Sequence, residues 1–254
     1  MSVVKGVLDR LGAVLARMRV SRQLALLGIV LLIPAVLAGR AYHQAQRTQI
    51  DFSAQEQVGV DALGPANALV VATVRARSAA VAAGLKHEAA PDAQLAAVRR
   101  AIAAADAADA EVGGDLGARA AWRKARKEIT AALATRTTTA SDALDRYSTA
   151  VDAAVGWVVE VGNASNLILD PDLDSFYVMD ALVTKAPAVA AAAGLGADNQ
   201  LALSGLPGGG TMSDHIDLAA QAGAVSTNLE ALLGGLKTTY ATTKDTKLKP
   251  GVGS

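Results

Sequence analysis

The chain has 254 residues, equal numbers of basic and acidic side chains, 52% hydrophobic but only 3% aromatic content, and no cysteine. Disulfide and thiol chemistry are thereby excluded, and nothing in the charge suggests a nucleic-acid partner. Alanine has the best helix propensity and adds little packing volume, so this composition calls for thin, closely packed helices and an all-α fold class.

Taken in order, Val4, Leu8, Leu11, Leu15 and Met18 alternate spacings of four and three, which predicts a short amphipathic helix lying on the inner leaflet of a membrane, in contact with lipid. Residues 1–22 carry five basic side chains against Asp9 alone. Gln23 to Gly39 follows as 17 residues without a charge, bounded by Arg22 and Arg40. As a helix it would be about 25 Å long, enough to cross a bilayer if the flanking arginines snorkel. Residues 23–39 are therefore read as a transmembrane helix, with Pro34 tolerated inside it. By the positive-inside rule, residues 1–22 form a cytoplasmic segment at the inner (plasma) membrane and the remainder is extracytoplasmic. A cleaved signal peptide is the alternative, and it also exports everything after about residue 40. From residue 41 onward there are 18 basic and 23 acidic side chains, so the overall neutrality hides an acidic exported part.

Ala41 to Leu85 reads as one helix with Leu63, Val70, Val74, Val81 and Leu85 on a face and a kink at Gly64-Pro65. A shorter helix follows the turn at Ala90-Pro91-Asp92 and ends near Gly113-Gly114. Leu116 to Leu169 contains no proline and predicts the longest helix, with Arg119, Arg123, Lys124, Arg126 and Lys127 as a solvated basic face. Asp174 to Ala193 predicts a helix interrupted by Pro187, and Gly194 to Gly210 a loop. Its GLPGGG lacks the following Lys-Ser/Thr and the preceding strand of a phosphate loop. Met212 to Thr243 predicts the last helix, N-capped by Ser213. The architecture expected is an N-terminal transmembrane helix followed by an elongated antiparallel helical bundle over residues 41–249, either four-helix or two stacked modules, with 250–254 a truncated tail.

Asn163 to Asp180 is the most specific text. Pro171 forces a corner at Asp170, since the residue before proline avoids the α region. Asp172 or Asp174 then caps the next helix. Asn163, Asn166 and Asp170 follow i, i+3, i+7 and would line one side of the long helix, beside an apolar seam where polar groups need partners. A structural corner made of Asp170, Pro171, Asp172 and Asp174 is one reading. A ligand-contacting corner is the other, with Asn163, Asn166, Asp170 and Tyr177 as binding residues and Arg75 or Arg77 as counter-charges, although plain solvated arginines are the simpler account of those two. A calcium loop fails because Ser175 stands where glycine is required and Ala181 where a bidentate glutamate is. His43, His87 and His215 are isolated, no nucleophile and base are spaced for catalysis, and neither enzyme activity nor a metal or cofactor is expected.

NASNLILDPDLDSFYVMD, followed by LVTKAP, resembles the SNL-LDPDLDSYY-MD pattern in the extracytoplasmic sensor regions of bacterial methyl-accepting chemotaxis proteins, and of some sensor histidine kinases and diguanylate cyclases. The likeness is close over Ser165 to Asp180, with Phe176 where tyrosine is commoner. It implies a homodimeric helical-bundle receptor that senses a small-molecule ligand or a periplasmic binding protein and passes a helix displacement to a cytoplasmic output module. This sequence contains no second apolar span, linker or output domain of that plan. A membrane-anchored structural helical protein is the alternative of a different class.

Overall fold

The computed structural model describes residues 19–114, 117–137, 139–169 and 172–244. The amphipathic stretch expected over residues 4–18, Asp170, Pro171 and residues 245–254 lie outside these. Helices account for the regular structure, and no strand occurs among the described residues. Two units are distinguished, Met1–Ser53 and Ala54–Ser254.

Helix α1 spans Val20–Gly84 and passes without a break through Pro34 and Pro65. In the first unit its side chains Leu24, Ile29, Leu31, Leu32, Ile33 and Leu37 are all exposed. A row of exposed large apolar groups is unusual for a helix facing water. Among the described residues, two helices are long and apolar enough to cross a membrane by length and composition: α1 over Leu31–Gly84, and Leu173–Ser204.

In the second unit, α2 (Asp92–Ala108) continues into a π-helical turn, Asp109–Gly113. Helices α3 (Arg119–Ala134) and α4 (Ala140–Ala164) pack on one another. This corrects the single helix expected over 116–169. The run Thr135-Arg136-Thr137-Thr138-Thr139 is rich in β-branched residues with poor helix propensity, and threonine competes for backbone hydrogen bonds. Thr139 instead N-caps α4, its Oγ1 accepting from the Asp142 backbone N–H at 3.2 Å. Helix α4 buries Ala140, Ala143, Tyr147, Ala150, Val151, Ala154, Trp157, Val158 and Val161, a stripe at alternating threes and fours that meets Trp122, Ala125, Ile129 and Ala132 of α3. Burial pushes the Tyr147 phenol up, with Arg99 partly opposing it. The basic face of α3 is exposed as expected, but three of its members are engaged: Arg126 pairs with Asp106 of α2 at 2.9 Å, Arg119 with Asp109 at 3.3 Å, and Lys127 with its neighbour Glu128 at 3.8 Å. Asp106 also accepts from Trp122 Nε1 at 3.0 Å.

Helix α5 runs from Leu173 to Ser204, much further than the expected end at Ala193. Proline 187 does not interrupt it. A π-helical turn, Ala181–Lys185, sits immediately before Ala186-Pro187, where the backbone hydrogen-bond ladder must absorb the missing N–H. The expected loop from Gly194 shrinks to the residues after Ser204, with Pro207–Gly209 as a 3-10 turn. Helix α6 (Met212–Thr242) packs along α5, and its cap is Thr211 rather than Ser213. Thr211 and Asp214 form a reciprocal capping box, which satisfies two otherwise free amides.

Candidate functional site

Helix α4 stops at Ala164, before the Asp170-Pro171 step that was expected to end it. Asn166 takes the left-handed conformation, φ 61°, and a 3-10 turn, Leu167–Leu169, follows. Of the three residues expected on one helical side, only Asn163 belongs to α4, and it is exposed. Asn166 Nδ2 donates to Gln55 Oε1 of α1 at 2.9 Å, while Gln55 Nε2 donates to the Ala164 carbonyl at 2.7 Å. These two bonds tie the end of α4 to α1. Beyond the undescribed Asp170 and Pro171, Asp172 holds the N-cap position of α5 and Asp174 Oδ1 accepts from the Ser175 N–H at 3.0 Å. Thr239 of α6 donates to the Asp174 carbonyl at 3.2 Å. Tyr177 sits edge-on to Phe176 and rests against Gly235 of α6.

The geometry of Asn166 yields a direct test. Asn166→Ala keeps a β-carbon in the left-handed region but gives up asparagine's better tolerance of it, at roughly 0.5–1 kcal/mol, and loses the bond to Gln55, at about 1 kcal/mol. Asn166→Gly loses only the bond. Urea unfolding should therefore place Asn166→Ala about 1.5–2 kcal/mol below the parent and Asn166→Gly between the two.

Arg77 is buried, not solvated. Its side chain and that of Asp198 in α5 are each 2% exposed, and Nε meets Asp198 Oδ2 at 2.7 Å. Nη2 donates to the Ala191 carbonyl at 3.2 Å, and Nη1 approaches Ser148 Oγ of α4 at 3.4 Å. Gly194 provides the room: a β-carbon there would stand 2.5 Å from Val74 Cγ1 and 2.9 Å from Arg77 Nη2. A buried charge needs this degree of pairing to be tolerated at all. The pair thus joins α1, α4 and α5 at one point. Sequence reasoning did not pick out Asp198, although it is the only charge between Ala186 and Ser213. A lone acid in such an apolar helical run is itself a signal that a partner must exist.

Arg75, by contrast, is exposed and lines a groove of about 780 Å³ between α1 and α2, with Asn67, Val71 and Gln94. A neighbouring groove of about 570 Å³ shares Asn67 and Val71 and extends to Leu182 and Ala190 of α5. The described candidates therefore serve separate places: Asn166 at the corner, Tyr177 against α6, Arg75 in a surface groove, Arg77 in a buried ion pair.

A fourth feature was not anticipated. Where α1 and α5 end and α4 and α6 begin, a cavity of about 530 Å³ is lined by Leu85, Leu144, Leu203 and Leu218 together with Asn199, Gln221, Asp214 and Asp217. Asn199 Nδ2 donates to Gln221 Oε1 at 2.8 Å across it. Asp214 Oδ2 accepts from both the backbone N–H and the hydroxyl of Thr211 at 2.7 Å, and these bonds hold its carboxyl below the usual carboxylate range. No group of three or more His, Cys, Asp or Glu side chains suited to a metal ion occurs among the described residues. Comparison with protein-family models, with curated proteins and with solved structures finds no match.

Proposed function

We propose that this chain is the extracytoplasmic sensing part of a transmembrane signal transducer of the methyl-accepting chemotaxis receptor type, working as a homodimer. The observation that carries the reading is the way the motif segment is held. Asn163 to Asp180, the part that resembles such sensors, is bonded through Asn166 and Ala164 to Gln55 of α1, the same helix that bears the uncharged stretch Gln23 to Gly39. Asn67 of α1 also donates to the Leu182 carbonyl of α5 at 3.1 Å, and Arg77 pairs with Asp198. A change of packing around the corner would therefore be felt by α1.

On this reading residues 23–39 are the single span, the N-terminus is cytoplasmic at the inner membrane, and the rest forms an elongated antiparallel bundle outside. The meeting of two helix ends and two helix starts around one cavity favours that antiparallel order. Helix α5, although apolar enough to span, is a bundle helix: it carries Asp174, Asp180, Lys185 and Asp198, the last in the buried pair with α1. The same motif occurs in kinase and cyclase sensors, so the proposal concerns the sensing half whatever the output. Ligand binding would shift the balance between two helix packings only as far as its affinities for them differ.

The two adjoining grooves on α1 support the dimer, since Val60 and Val71 there are 43% and 39% exposed. The chain has no cysteine, so single cysteines give a clean test. In membranes, Val71→Cys should form a disulfide-linked dimer rapidly on oxidation, whereas Arg123→Cys on the outer face of α3 should not. Equal, slow cross-linking at both positions would sink the dimeric receptor.

A further inference from the structure

We propose that the cavity formed where α1 and α5 end and α4 and α6 begin is a binding site for a small organic cation, an amine carried on a compact apolar body. As a sensing site it rests on the receptor reading; as a binding site it rests on the cavity alone. Its volume, about 530 Å³, lies in the range of small-molecule pockets, roughly 300–1,000 Å³. Half-buried leucines, Leu85, Leu144, Leu203 and Leu218, make an apolar wall suited to a ring or short alkyl group.

The sign of the ligand's charge follows from the groups that face the space. Among the described residues its titratable lining consists of Asp214, Asp217 and His87, with no lysine or arginine. Two helix C-termini and two helix N-termini meet there, so their opposite half-charges offset one another and the carboxylates decide the field. Asp214 and Asp217 stand three residues apart on the first turns of α6 and so share a side of the helix. The Thr211 bonds fix the Asp214 carboxylate through Oδ2, and Oδ1 takes part in neither. Asn199 gives one of its two amide N–H groups to Gln221 Oε1, and its Oδ1 is a further acceptor. An ammonium group offers three donors and no acceptor, the complement of this set. An anion would meet two carboxylates.

The probe is benzylamine, compared with benzyl alcohol and benzoate of similar size, titrated calorimetrically against the detergent-solubilised chain. Benzylamine should bind at least tenfold more tightly than either comparison compound. Asp217→Asn, an exposed change outside the capping box, should weaken benzylamine about tenfold and leave the melting temperature of the free protein unchanged, while Asp152→Asn on α4 should change neither. No binding of benzylamine at millimolar concentration, equal binding of benzyl alcohol or benzoate, or an unaltered affinity in Asp217→Asn would overturn the proposal. The receptor reading fails differently: benzylamine binds and depends on Asp217, but the cross-linking rate of Val71→Cys is the same with and without it. That result keeps the cation site and removes its sensing role.

Discussion

Replacing Arg77 by leucine should lower the stability of the chain by about 3–5 kcal/mol, because it leaves the Asp198 carboxylate buried without a cation. Asp198→Leu should cost a similar amount, leaving a guanidinium with only the Ala191 carbonyl and a distant Ser148 hydroxyl as partners. The double variant Arg77→Leu/Asp198→Leu distinguishes charge from shape. Removing both charges at once also removes their desolvation cost, so it should lie within about 1–2 kcal/mol of the parent, and a stability above it would not be surprising for a buried pair. Urea unfolding of all four proteins closes the cycle. Additive losses in the double variant would mean that the two side chains matter for packing and not for each other. If the receptor reading holds, the pair also fixes the register of α1 against α5, and the stable double variant is the one in which ligand-dependent cross-linking of Val71→Cys should be lost while the fold persists.

The helical class was plain in the sequence, because the apolar stripes of α3 and α4 recur at threes and fours and alanine dominates throughout. The breaks were less plain. In the sequence, proline and glycine read as punctuation at Pro187 and Gly194, yet both lie inside α5. The π turn before Pro187 supplies a local remedy that periodicity does not reveal, and Gly194 is small because Val74 and Arg77 of α1 press against it. Conversely, the threonine run between α3 and α4 contains neither glycine nor proline, and helix propensity with capping ended the helix there. Asn166 was singled out for its place in the motif, but its left-handed backbone and its partner Gln55 lie more than a hundred residues apart in sequence and could only be found in the folded chain. The same holds for Arg77. One helix face is equally apolar whether an acid waits opposite it or not, and only Asp198, isolated in its apolar run, carried a hint.

Trp157→Ala should be the most damaging single truncation in the core, at about 3–5 kcal/mol. The indole is 2% exposed and packs against Trp122 with ring centroids 4.5 Å apart at an interplanar angle of 39°. Such a contact adds roughly 0.5–1.5 kcal/mol to the area that each ring buries. The cost should fall at the upper end of the range because the core beside the pair is rich in alanine: Ala154, one turn from Trp157, and Ala125, one turn from Trp122, have no side-chain freedom with which to fill the space. A core of larger, flexible residues would relax into the void, whereas here the helices themselves would have to move. Trp122→Ala loses the same ring contact and also the bond to Asp106, but Asp106 is 40% exposed and keeps Arg126, so little further loss follows from that acid. The chain has only these two tryptophans. In Trp157→Ala the remaining fluorescence comes from Trp122 alone, and a red-shifted emission in the absence of denaturant would show the α3–α4 contact opening locally. An unshifted emission with a loss below about 1 kcal/mol would mean that the helices close over the gap.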